Sequence, residues 1–208
     1  MDKRNIFVLG DSISIHYGPY LKELLGDEFL YDRKRGLHHA LKDLENPVGA
    51  NGGDSRQVLE YLEDEYQMGT RYDVLLVNCG LHDIRRHLDK KEIQVPISEY
   101  AENIARVVKL GKDMSDVMIW INTTPVINEI HNTRSDKMHR FRSDLMAYRS
   151  AARWIMAEEN VPIINLHDFT EAFGSDAFID HVHFIEDIRR KQAAFIKKAL
   201  LGILNNKI

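Results

Sequence analysis

Four short apolar runs constrain this chain most: residues 6–9, 74–78, 117–122 and 161–166. Each is rich in β-branched residues and apolar on consecutive rather than alternate positions. A strand with one face in water alternates, whereas a strand covered on both faces does not. These runs therefore predict parallel strands buried between helices. A weaker run at 29–32 supplies a fifth strand. The stretches between them carry helical period. Val58, Leu59 and Leu62 share one side within 55–66, and Ile104, Val107 and Val108 within 100–110. Leu145, Tyr148, Ala152 and Ile155 do so within 141–159, and Ala193, Ile196, Leu200 and Ile203 within 189–204. Strands alternating with helices of this length join by right-handed crossovers. The expected fold is a three-layer α/β/α, flavodoxin-like arrangement around a parallel sheet of about five strands.

The 208 residues contain no repeat and no Pro/Gly/Ser-rich linker, so one domain over 1–208 is expected. With 28 basic and 32 acidic residues the formal charge is −4, which does not supply the concentrated basic face of a nucleic-acid binder. No run approaches the ~18 apolar residues of a membrane span, and none resembles a secretory leader, so a cytoplasmic location is expected. Cys79 is the single cysteine and makes no internal disulfide. It is read as a small hydrophobe. Trp120 and Trp154 are read as packing residues, and the runs 33–35 and 189–191 as solvated surface. Oligomeric state is not legible.

In an open α/β sheet, ligands bind beyond the carboxyl ends of the strands, where the long connections 36–53 and 123–139 also gather. The unusual residues fall there. Gly10-Asp11-Ser12-Ile13 follows the first strand and enters a helix, whose N-terminal N–H groups suit a developing anion; Asp11 and Ser12 also read as ordinary helix caps. Asn51-Gly52-Gly53-Asp54-Ser55 leads into the next helix and reads either as a turn with a cap or as a close backbone approach to a ligand. Gly80-Leu81-His82-Asp83 follows another strand. Asp180 stands three residues before His183, close enough to accept its ring N–H and orient it as a base.

Taken in order, these four blocks resemble the SGNH, or GDSL-type, hydrolase superfamily, from residue 6 to the end of the chain. The resemblance implies an acyl transfer in which Ser12 is the nucleophile, His183 the base and Asp180 its orienter. The oxyanion would be held by the Ser12 and Gly53 N–H groups and by His82. No cofactor and no metal is implied. The chain departs from the family at His82, where the pattern has asparagine. An imidazole also donates one N–H, but its tautomer is variable and it can become cationic. Activity is expected to survive, because Asp83 and the glycines of the pattern remain.

The blocks do not distinguish lipases, thioesterases and carbohydrate esterases. No long apolar segment marks a lipid lid, and both long connections are polar. A short acyl group, acetyl above all, on a polar alcohol such as a sugar is the expected ester. Asp11, Arg85 and Arg86 are the expected substrate contacts. Two other readings stand beside this one. A binding protein impaired at His82 would keep the fold without turnover. A metal-dependent hydrolase would draw on the ten histidines, though His38-His39 and His181-x-His183 lack zinc-like spacing. Nucleotide binding is discounted, since no phosphate-binding glycine pattern follows the first strand.

Overall fold

The computed structural model describes residues 3–89 and 92–205. In chain order its elements are β1 (Asn5–Leu9), α1 (Ser12–Leu25), β2 (Leu30–Arg33), α2 (Leu37–Ala40), α3 (Ser55–Gln67), β3 (Tyr72–Val77) and β4 (Arg86–His87). There follow α4 (Ile97–Met114), β5 (Ser115–Ile121), α5 (Asn128–Arg134), β6 (Met138–His139), α6 (Arg142–Glu158), β7 (Ile163–Ile164), α7 (Leu166–Glu171), a 3-10 turn (Ser175–Ala177) and α8 (Glu186–Asn205).

The main sheet has five strands in the order β2-β1-β3-β5-β7, every pair parallel. The continuous apolar runs have the cause inferred from them. Ile6, Leu9, Val74, Leu75, Leu76, Val77 and Ile119 all have zero exposure, because helices cover both faces. On one face α1 packs with α8 and α8 with α7; α4, packed between α3 and α6, covers the other. One hydrophobic cluster runs from Ile6 to Leu204 through these layers.

The strand order reverses beside β1: the chain leaves β1 for β2 through α1, then returns past β1 to β3 through α3. Such a switch point opens a crevice at the carboxyl ends of the two strands that part there, which are β1 and β3. Gly10–Ser12 and Asn78–Asp83 occupy those ends. Asn78 ties them to the next strand, its N–H donating to Leu9 O at 2.9 Å and its Nδ2 to Ile121 O at 2.8 Å.

Several expectations need correction. The connection 36–53 contains α2, and 123–139 contains α5 and β6, the latter pairing antiparallel with β4 outside the main sheet. Trp154 is 67% exposed and packs no core. Arg33 and Lys34 are not free surface charges. Arg33 donates to Ser14 O at 3.1 Å and Ala50 O at 3.0 Å, and Lys34 to Asn51 O at 3.1 Å, so both pin the 36–53 connection to the sheet edge. Arg189 likewise donates its Nε to Phe184 O at 2.5 Å. Cys79 is fully buried, and burial pushes its thiol well up, as befits an unreactive packing residue. Among the described residues no helix is long and apolar enough to cross a membrane.

Candidate active site

Ser12 is the first residue of α1, directly past β1. Asp11 caps that helix: its Oδ1 accepts the Ile13 N–H at 3.0 Å. The cap and nucleophile readings of this turn are thus compatible. Asp11 takes the capping role, and Ser12 N–H, at the first helical position, has no carbonyl one turn back to bond. Asp11 is only 1% exposed; burial raises its carboxyl above the ordinary range, against the pull of the Ile13 N–H.

At the far end of the sequence, Asp180 and His183 form a turn just before α8. Asp180 Oδ1 accepts the N–H groups of Val182 and His183 at 2.8 and 2.7 Å, and Oδ2 lies 2.7 Å from His183 Nδ1. Burial opposes a charge on Asp180, but the His183 ring and the two backbone donors outweigh it and hold the carboxyl below the usual range. An ionised Asp180 accepts, so Nδ1 carries the proton and Nε2 is left as an acceptor. Nε2 lies 2.8 Å from Ser12 Oγ, which donates to it across 171 residues of chain. Ser12 and His183 are buried, while the Asp180 side chain remains 44% exposed.

The other two blocks close on the same turn. Gly52 N–H donates to Gly10 O at 2.9 Å, setting residues 51–53 against the nucleophile turn. Gly53 has φ +75, and a Cβ there would collide with Gln57 Oε1, so the position requires glycine. Its N–H, expected to be free for an oxyanion, donates to Asn51 Oδ1 at 3.0 Å. An oxyanion would have to share or displace that bond. Asp83 is fully buried and holds the Gly80–Asp83 turn to the start of α3 by accepting Ser55 N–H at 2.9 Å.

His82 is 3% exposed. Its Nε2 lies 3.4 Å from Arg85 Nη2, while its Nδ1 is buried without a partner among the described residues. Burial first, then the charges of Arg85 and Arg140, hold its pKa well below the ordinary value, so the ring is neutral. Neither arginine proposed as a substrate contact has a free guanidinium. Arg85 Nη2 also donates to Glu45 O at 2.8 Å and to Glu45 Oε2 at 3.2 Å. Arg86 pairs through two nitrogens with Asp144, at 2.7 and 2.9 Å.

Three neighbours escaped the sequence reading. Glu45 lies in the 36–53 connection; burial raises its carboxyl, but His181, Arg140 and Arg85 outweigh that and hold it low. Arg140 is 1% exposed and donates its Nε to Leu81 O at 2.6 Å, bracing the His82 turn. His16, one turn along α1 from Ser12, lays its ring 4.9 Å from that of His183. Two arginines buried near one turn require a carboxylate, but only if their burial is known. Among the described residues the group with side chains close enough to share a metal ion is His167, Asp168 and Glu171, which includes neither His181 nor His183. His183 is engaged by Ser12 and Asp180, and His181 Nε2 stands 3.2 Å from Glu45 Oε1.

A family model described as GDSL-like Lipase/Acylhydrolase matches residues 6–196 of this chain. No curated protein sequence matches. Among solved structures, the lipase/acylhydrolase from Enterococcus faecalis superposes with TM-score 0.71 at 18% identity, covering 96% of each chain. The acetyl xylan esterase AlAXEase gives 0.69 at 16% identity, covering 94% of this chain and 98% of its own. Axe2, an acetylxylan esterase from Geobacillus stearothermophilus, gives 0.66 at 16% identity, covering 94% and 93%. At such identities the likeness is one of fold.

Proposed function

As the chain belongs to the GDSL-like lipase/acylhydrolase family and is a carboxylic ester hydrolase, we propose that it removes a short acyl group, acetyl above all, from a polar alcohol such as a carbohydrate, acting as one domain through an acyl-enzyme on Ser12. The observation that carries this reading is the unbroken line Asp180 Oδ2, His183 Nδ1, His183 Nε2, Ser12 Oγ, with spacings of 2.7 and 2.8 Å.

The steps follow from the atoms. Ser12 Oγ attacks the ester carbonyl carbon while its proton passes to His183 Nε2, and Asp180 stabilises the imidazolium formed. The carbonyl oxygen becomes an anion facing the start of α1. There the Ser12 N–H, the Gly53 N–H and His82 Nδ1–H are the donors assigned to it. Collapse breaks the bond to the alcohol, which takes the proton from His183. Water, deprotonated at Nε2, then frees the acid and restores Ser12. The acetyl preference is supported by the polar connection over the site and by acetyl xylan esterases among the proteins of like fold.

The test is hydrolysis of p-nitrophenyl acetate, butyrate and octanoate by wild type and Ser12→Ala, together with a fluorophosphonate probe. Acetate turnover that disappears in Ser12→Ala, with the label on Ser12, supports the reading. Turnover that survives the substitution removes the nucleophile assignment, and absence of both turnover and label favours a binding protein.

A further inference from the structure

His82 stands where the family pattern has an amide, and a neutral imidazole serves an oxyanion only if the proton sits on the nitrogen that faces it. An asparagine side chain has its donor fixed by chemistry. An imidazole has one proton and two nitrogens, and something must choose between them.

The surroundings of His82 make that choice. A guanidinium only donates, so the nitrogen facing Arg85 Nη2, which is Nε2, accepts and carries no proton. The one proton of the neutral ring is then on Nδ1, which is buried and has no partner among the described residues. A buried donor left unpaired is costly in the resting enzyme. That cost is recovered when negative charge appears within its reach. Arg85 is itself held: its side chain is 9% exposed, and Glu45 grips it through both the backbone carbonyl and the carboxylate, at 2.8 and 3.2 Å. Glu45 is in turn within 3.7 Å of Arg140.

We infer that Arg85, anchored by Glu45, is a positioning residue that fixes His82 as its Nδ1–H tautomer and so gives the imidazole the donor that an amide would carry. This rests on the reading of Ser12 as nucleophile and of His82 as an oxyanion donor. Without Arg85 the donor on the Nε2 side is gone, and the Glu45 carboxylate that held it, an acceptor whose charge acts on the ring, draws the proton to Nε2. Nδ1 then presents a lone pair to the oxyanion. The 36–53 connection, through Glu45, thereby helps to assemble the catalytic centre rather than merely covering it.

The tautomer is directly measurable in the intact protein. Wild type labelled with 15N-histidine, with His82→Asn to assign the ring, gives a long-range 1H–15N imidazole spectrum. The expected pattern is a protonated Nδ1 and a bare Nε2. In Arg85→Met the proton moves toward Nε2, and kcat on p-nitrophenyl acetate falls toward the ~10²–10³-fold loss that follows removal of an oxyanion donor, with KM unchanged. Arg85→Lys, which keeps a donor, recovers the Nδ1–H tautomer and most of kcat. A wild-type proton on Nε2 overturns the inference whether or not any variant folds. A fall in kcat with the Nδ1–H tautomer intact also overturns it, because Arg85 would then be a structural residue. Fluorophosphonate labelling separates the two levels. Labelled Ser12 with the wrong tautomer defeats this inference alone, and unlabelled Ser12 defeats the nucleophile reading and the kinetic consequence with it.

Discussion

Asp83 Oδ1 accepts the backbone N–H of Ser55 at 2.9 Å, while Asp83 Oδ2 is buried with no partner among the described residues. One carboxylate therefore joins the turn that carries His82 to the helix that follows Gly53, at the expense of an oxygen shut away from water. Burial pushes this carboxyl up to about 7, against the pull of its Ser55 hydrogen bonds. The folded value lies above that of an unfolded aspartate. The stabilisation is therefore complete below about pH 4 and is lost as pH rises toward 7. Asp83→Asn keeps the acceptor and removes the titration. Its Tm relative to wild type should climb steadily between pH 4 and 7 and level off above, by an amount reflecting a few kcal/mol. A flat difference across that range, by calorimetry, would show that Asp83 is ionised throughout.

Asp180 accepts from His183 at Nδ1 and from two backbone N–H groups. Asp180→Asn offers the ring an amide in place of a carboxylate, so the imidazole can turn its proton toward Ser12. The expected loss in kcat is about 10⁴-fold, smaller than that of Ser12→Ala, with the fold preserved. Steady-state kinetics beside circular dichroism reads both. A loss under tenfold would mean that His183 is oriented by something other than Asp180.

His82→Asn and His82→Ala separate two explanations of the family departure. The asparagine variant can accept from Arg85 through Oδ1 and donate through Nδ2, the arrangement the family pattern implies. It should retain activity within about tenfold, whereas His82→Ala should lose ~10²–10³-fold in kcat as a missing oxyanion donor. Equal activity in the two variants would remove His82 from the oxyanion site.

What the sequence revealed and what it hid divide along chain distance. Ser12 and Gly53 were legible because each stands at a fixed step between a strand or connection and a helix, and Asp180 and His183 because they are three residues apart. The sheet was legible because burial on both faces leaves consecutive apolar residues, as at 74–77. The Glu45–Arg85–Arg140 cluster was not, because its members lie 40 or more residues apart in polar segments and only the folded chain buries them. Helix α5 was missed because Asn128–Arg134 carries Ile130 alone as an aliphatic residue and starts without a side-chain cap. Trp154 was misread through helix geometry. It stands two positions from Ala152, about 200° round the axis, and so faces away from the sheet.

Gly53 gives the most separable structural test. An alanine there meets both a backbone angle suited to glycine, φ +75, and the Gln57 and Pro47 side chains, which its methyl group would strike. Gln57 cannot yield freely, because its Oε1 accepts the Asp54 N–H and closes the cap of α3 at 3.2 Å. Gly69 is the natural control: it has φ +73, and a methyl group there would meet no atom of the described residues within 4 Å. Gly69→Ala should therefore cost only the backbone strain, about 1 kcal/mol, and leave ester hydrolysis intact. Gly53→Ala should cost that plus the disturbed cap, roughly 2–3 kcal/mol together. It should also depress kcat, because the N–H assigned to the oxyanion moves with the loop. Urea unfolding gives the stabilities and p-nitrophenyl acetate the rates. Equal stabilities would mean that Gln57 swings aside without loss. A Gly53→Ala enzyme of undiminished kcat would take the Gly53 N–H out of the oxyanion site and leave the charge to Ser12 and His82.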